Sequence, residues 1–166
     1  MEPDAILEEL GVTAVWEVRD DGRWVEALDL DVRAMARLLH SVEARWVTLT
    51  VSPAPGGGFR LLYHWDLAGR LLNIATTIPV ARAESIADVW PAADWAEREA
   101  RDYYALEFAG REELSALMLR PEDEPGLFSR TQELGRDADP ADAARIDASR
   151  NGPDACLPGP DAGGEP

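Results

Sequence analysis

Three strand-like runs follow one another between residues 45 and 78, and they limit what the chain can fold into more than any other feature. "RWVTLTV" (45–51) is β-branched and alternates in character. "FRLLYHWDL" (59–67) and "RLLNIATTI" (70–78) flank an Ala68-Gly69 turn, which predicts a hairpin. "SPAPGGG" connects the first run to the second as a loop, and Pro79 ends the ladder because it has no N–H to donate. Such a sheet must bury one face, and helices are one way to cover it.

Those helices are legible on both sides of the strands. "DAILEEL" (4–10) puts Ile6, Leu7 and Leu10 on one face, with Gly11 where a helix stop is expected. "VTAVWEV" and "RWVEALDL" read as two strands around the turn Arg19–Gly22. A helix from about Asp31 to Ser41 follows, with Val32, Met35, Ala36 and Leu39 in one apolar stripe. The fold class expected is α+β, a mostly antiparallel sheet packed with about three helices. After Phe128 no aromatic residue appears, and the run from Thr131 carries eight acids against three Arg, with five Gly and five Pro. Too little apolar surface remains there to offset the entropy of ordering, so the expectation is an α+β domain over 1–131 and a disordered acidic tail over 132–166.

Charge and composition remove several classes of function. The 166 residues carry 32 acids against 16 basic residues, a formal charge of −16, and every basic residue is Arg. That balance speaks against nucleic acid and against docking directly on anionic lipid. The single cysteine, Cys156, leaves no set of ligands for an iron–sulfur cluster or a cysteine-type zinc site. His40 and His64 stand apart, without the converging ligands a metal needs. "PGGGF" lacks the phosphate-loop pattern, and no G-x-S-x-G elbow occurs. No catalytic, cofactor-binding or metal residue is therefore assigned. The acidic start "MEPDAILEEL" does not read as a signal peptide, and no apolar run nears the roughly 20 residues of a membrane span, so a cytoplasmic chain is expected.

The segment "VWPAADWAEREARDYYALEFAG" (89–110) combines charge and aromatic character. Asp94 and Glu97 resemble a capping box after Pro91, which predicts a helix from about Trp95 to Tyr104. Ala96, Ala100, Tyr103 and Tyr104 then form the buried face. Asp94–Arg98, Glu97–Arg101 and Arg98–Asp102 are i, i+4 neighbours, so an amphipathic helix with paired charges on its solvent side accounts for the acids. It does not account for Trp90, Trp95, Tyr103, Tyr104 and Phe108 crowding around them. Aromatics and Arg are enriched at interface cores, so core and interface both stay open as readings.

The residues of this segment resemble the 30 kDa subunit family of respiratory complex I. That family comprises the C-type subunit of bacterial NADH–quinone oxidoreductase and its relatives in energy-converting [NiFe] hydrogenases. The family pattern is roughly S-[IV]-x-x-[IV]-W-P-x-A-x-W-x-E-R-E-x-x-D-[ML]-[FY]-G-[IV]-x-F-x-G-H-P. Ser85, Ile86, Val89, Trp90, Pro91, Trp95, Glu97, Arg98, Glu99, Asp102, Tyr104, Phe108 and Gly110 fit it. The resemblance extends over about residues 30 to 120. It implies a cofactor-free α+β subunit of a peripheral arm, on the cytoplasmic side of the inner membrane and joined to the membrane only through its complex. The implied partners are a large subunit of the 49 kDa or [NiFe]-hydrogenase type and a cluster-bearing small subunit. Iron–sulfur clusters, and nickel–iron or quinone sites, then belong to those partners. By the same resemblance Trp90, Trp95, Glu97, Arg98, Glu99, Asp102, Tyr104, Phe108 and Arg111 are structural and interface residues.

Several positions depart from the pattern. Its Gly after the aromatic pair is Ala105, which should cost about 1 kcal/mol if that position needs φ > 0. Its G-H-P is Gly110-Arg111-Glu112, and the downstream run is not recognisable in "GLFSRTQELGR". These departures, with the acidic tail, keep an alternative in view: a stand-alone acidic α+β protein-binding module outside any redox complex, with its aromatics buried.

Overall fold

The computed structural model of the chain describes residues 1–111 and 114–129. The expected acidic tail over 132–166, with Cys156, lies outside the described residues. The described elements run α1 (Pro3–Glu9), β1 (Glu17–Arg19), β2 (Gly22–Glu26), α2 (Val32–Ser41), β3 (Arg45–Pro53), β4 (Phe59–Leu67), β5 (Arg70–Ile78), β6 (Arg82–Glu84), α3 (Ala93–Tyr104) and β7 (Glu107–Ala109).

Five strands form one sheet in the order β1-β2-β5-β4-β3. The β4–β5 hairpin pairs from Phe59↔Ile78 to Leu67↔Arg70, as the Ala68-Gly69 turn predicts. Every pairing in this sheet is antiparallel except β2 with β5, because the chain leaves β2 through α2 and returns to its side only after β3 and β4. The class is α+β, as expected. The first hairpin is shorter than the sequence suggests. Residues 12–16 are not a strand; Val12 N–H instead donates to Leu7 O, and Trp16 Nε1 donates to Pro3 O at 3.0 Å. Burying that indole under α1 takes the segment out of the sheet's path.

Period-two alternation sends Leu61, Tyr63 and Trp65 of β4 to the same face as Leu72 and Ile74 of β5. All are buried, in one core with Ile6 and Leu7 of α1 and Ala93, Ala96 and Ala100 of α3. The α2 stripe Val32, Met35, Ala36 and Leu39 joins them, each fully or nearly fully buried. Asp31 caps α2 by accepting from Ala34 N–H at 2.8 Å. The opposite face of the sheet carries polar side chains bonded to one another beside Leu62, Ala75 and Trp24. His64 Nδ1 lies 2.6 Å from Asn73 Oδ1, Thr50 Oγ1 lies 3.1 Å from His64 Nε2, and Arg60 pairs with Glu26 at 2.8 Å.

A second, two-stranded sheet pairs β6 with β7 in parallel, and α3 is the crossover between them. Both strands have only three residues, too few for alternation to announce them in the sequence. They fix the two ends of α3 and so position the motif. Among the described residues no helix is long and apolar enough to cross a membrane.

Candidate protein interface

The helix α3 begins after Pro91, with Ala92 as its N-cap and no side-chain cap. The expected Asp94–Glu97 capping box is absent, because Glu97 points inward. Its side chain is 2% exposed, and its carboxylate accepts from Ile86 N–H and Ser85 Oγ–H, both at 2.8 Å. The carboxylate thus satisfies backbone at the turn that carries β6 into the helix. Burial pushes the Glu97 carboxyl up, and the Ile86 and Ser85 hydrogen bonds and the Arg111 charge pull only part of the way back.

Asp102 is likewise buried, with no solvent exposure. Its Oδ2 accepts from three consecutive backbone N–H groups, Leu117 and Met118 at 2.8 Å and Leu119 at 3.2 Å. Burial alone raises its pKa, but those three donors with the Arg101 charge outweigh it and hold the carboxyl below its usual range. The Asp102 carbonyl also accepts from Gly126 N–H at 2.9 Å. One residue of α3 therefore pins the segment that follows β7.

The charge ladder expected on the solvent side is formed only in part. Asp94 and Arg98 pair at 3.6 Å. Glu97–Arg101 and Arg98–Asp102 do not form, because both acids are drawn into the fold. Arg98 turns to the Ser115 and Ala116 carbonyls, at 3.0 and 2.8 Å. Arg111 pairs with Asp94 and lies 3.5 Å from Glu97. It takes up charge within the chain where the family pattern has His. Arg33 donates to the Ser85 carbonyl at 2.7 Å and pairs with Asp88. Ser85 fits the family pattern, but helical spacing does not reveal it as the partner of Glu97, or Arg33 as the partner of Ser85. Their separations of 12 and 52 residues from the groups they bond leave no periodic trace.

The aromatics divide into inward and outward sets. Phe108 is buried in the core. Trp90 is half-buried: its Nε1 donates to Ala36 O at 3.0 Å, and its ring meets Trp65 and His40 edge-on. Tyr104 meets Phe59 and Phe128 edge-on, and Tyr103 stacks on Phe128 with centroids 4.5 Å apart. Trp95 is the exception, 62% exposed on the outer side of α3. Glu99, one turn further along that side, is half-buried. Of the nine residues the sequence marks for an interface, Glu97, Asp102 and Phe108 thus lie inside the fold, while Trp95 and Glu99 face outward. Among the described residues no three His, Cys, Asp or Glu side chains converge as a metal group.

Residues 25–129 match the model of the family described as respiratory-chain NADH dehydrogenase, 30 kDa subunit. The C/D subunit of NADH-quinone oxidoreductase from Acidiphilium cryptum (strain JF-5) is 35% identical over 71 residues, and that from Rhodopseudomonas palustris (strain BisA53) 38% over 71. Each match covers 40% of this chain but only 12% of the relative's length. In structure, the chain is similar to one from the membrane-bound sulfane sulfur reductase, an archaeal respiratory membrane complex. The TM-score is 0.64 at 23% identity, covering 88% of each chain. It is also similar to the trypsin-resistant fragment of Nqo5, at TM-score 0.55 and 21% identity, covering 69% of this chain and 100% of that one. Those two likenesses concern the fold alone. With its family model matched from β2 to the end of the described residues, the chain belongs to the respiratory-chain NADH dehydrogenase 30 kDa subunit family.

Proposed function

We propose that this chain is a non-catalytic peripheral-arm subunit of a complex-I-like oxidoreductase. It packs against a large redox subunit and a cluster-bearing small subunit and supports electron transfer by holding them in place. The redox groups, iron–sulfur clusters with a quinone or nickel–iron site, belong to those partners. Membership of the 30 kDa subunit family supports this reading, as does the use of the motif's acids. Glu97 and Asp102 are engaged by backbone N–H groups inside the fold, which leaves neither poised for proton transfer to a substrate.

The observation that carries the proposal is Trp95. Trp95 is 62% exposed on a helix whose other aromatics are packed, and Trp is among the residue types most enriched at binding hot spots. A stand-alone module would be expected to bury it with the rest. The test is gentle affinity purification of the tagged chain from its native cells, with mass spectrometry and metal analysis of what is recovered. Recovery of a large redox subunit with iron supports the proposal. Nickel-binding cysteine pairs in that subunit would assign the assembly to the hydrogenase type, and their absence to the quinone type. Recovery of this chain alone would remove the proposal.

A further inference from the structure

Strand β3 ends the five-stranded sheet, and among the described residues only β4 pairs with it. Among the described residues its outer edge therefore presents unpaired N–H and C=O groups along a nine-residue strand. Domains that live alone blunt such an edge with charge, proline, shortness or a bulge. Here Arg45 and Pro53 mark the ends and a register shift between Trp46 and Thr48 interrupts the ladder near the first of them, but Thr48 to Ser52 is regular and contains neither a charge nor a proline.

A groove of about 300 Å³ runs beside this edge. Thr48, Leu49, Thr50 and Val51 form one wall, and Ala96, Glu99 and Ala100 of α3 form the other. Successive strand residues point to opposite faces, so a groove that touches four in a row opens on the backbone edge and not on one face. Tyr103, Tyr104 and Phe128 line it further along. Glu99 has no cationic partner among the described residues. After burial, its charge is the second cause of the raised Tyr104 pKa, which puts the carboxylate near the aromatic end of the groove.

We propose that the β3 edge takes an extended strand of another polypeptide by β-augmentation, with apolar residues facing Tyr103 and Phe128 and a Lys or Arg facing Glu99. Backbone groups of Trp46–Ser52 supply the affinity, and Glu99 sets the register and the sign of charge. A second copy of this chain fits poorly. It would bring −16 against −16, and its own Trp46–Ser52 offers no cation to Glu99.

This inference rests on the assembly reading above, and one experiment separates the two. The tagged chain is prepared both alone and in the complex purified from native cells, and hydrogen exchange is followed at the β3 amides. The inference expects fast exchange at the outward-facing amides of 47–51 in the isolated chain and protection of at least tenfold in the complex. It also expects Glu99→Arg, which circular dichroism should show folded, to lower recovery of the partner on the order of tenfold, with Glu99→Gln intermediate. Failure to recover any complex would overturn the assembly reading and this inference with it. A recovered complex with unchanged exchange at 47–51 would overturn this inference alone. So would protection already present in the isolated chain, which would assign the edge to self-pairing.

Discussion

The Glu97 carboxylate accepts the Ile86 backbone N–H at 2.8 Å, joining the segment just after β6 to the first half of α3. Removing that acceptor strands a buried donor, which costs about 1–3 kcal/mol. Glu97→Ala should therefore lower stability by about 3 kcal/mol, since it also frees Ser85 Oγ and leaves a void. Glu97→Gln keeps one acceptor oxygen and should cost about 1 kcal/mol. Urea unfolding of the two variants checks this; equal losses would mean that the hydrogen bonds do not carry the effect.

Asp102 and Glu97 should tilt the pH dependence of stability in opposite directions. The Asp102 carboxyl is depressed below its ordinary 3.8, so its contribution is complete above that pH and is lost as pH falls through the folded-state value. The Glu97 carboxyl is raised above its ordinary 4.5, so folding holds a proton the unfolded chain gives up, and stability falls as pH rises from 4.5 through the folded-state value. Denaturation midpoints measured from about pH 2.5 to 8 should show Asp102→Asn flattening the acid-side loss and Glu97→Gln flattening the loss above the ordinary glutamate value. A wild-type curve that the two substitutions shift without changing its slopes would refute the assignment.

Ala105 ends α3 in the left-handed region, at φ 55 and ψ 33, with its N–H donating to Arg101 O. The family's Gly suits that conformation, whereas the Cβ of Ala is crowded by backbone there. Ala105→Gly should raise stability by about 1 kcal/mol. A thermal shift in the opposite direction would show that the Ala105 side chain, which lies against Gly126, contributes more by packing than it costs in strain.

Tyr63 is 1% exposed, and among the described residues its hydroxyl has no hydrogen-bond partner. Desolvation, and then the Glu97 charge, raise its pKa. Tyr63→Phe removes a buried polar group without removing a bond, so stability should hold or rise by up to about 1 kcal/mol. A calorimetric loss above that would reveal a partner for the hydroxyl.

Local pattern makes the scaffold legible and hides the motif's interior. The β4–β5 hairpin and the α2 stripe follow from period-two and period-3.6 patterning within single segments, and both appear where the sequence places them. The positive φ at Ala105 is visible as a conflict between Ala and the position's need. The burial of Glu97 and Asp102 is not visible. Spacing along a helix shows which charges are neighbours, but Asp102 meets backbone N–H groups 15 to 17 residues away, and Glu97 meets a turn that precedes the helix. Backbone donors have no side-chain signature, so an acid that serves them looks like any surface acid. Trp95 alone keeps the outward character that the crowd of aromatics suggests.

The most direct test of the assembly role follows Trp95. Detergent-solubilised membranes and soluble extract from native cells would be fractionated by size, with the tagged chain followed alongside iron and redox activity. Wild type should elute with a high-mass, iron-containing complex, and Trp95→Glu should move at least tenfold more of the chain to its free mass of 18.2 kDa with its folding stability unchanged. Elution of the wild-type chain at its own mass, or retention of the Trp95→Glu variant in the complex at wild-type level, would contradict the account.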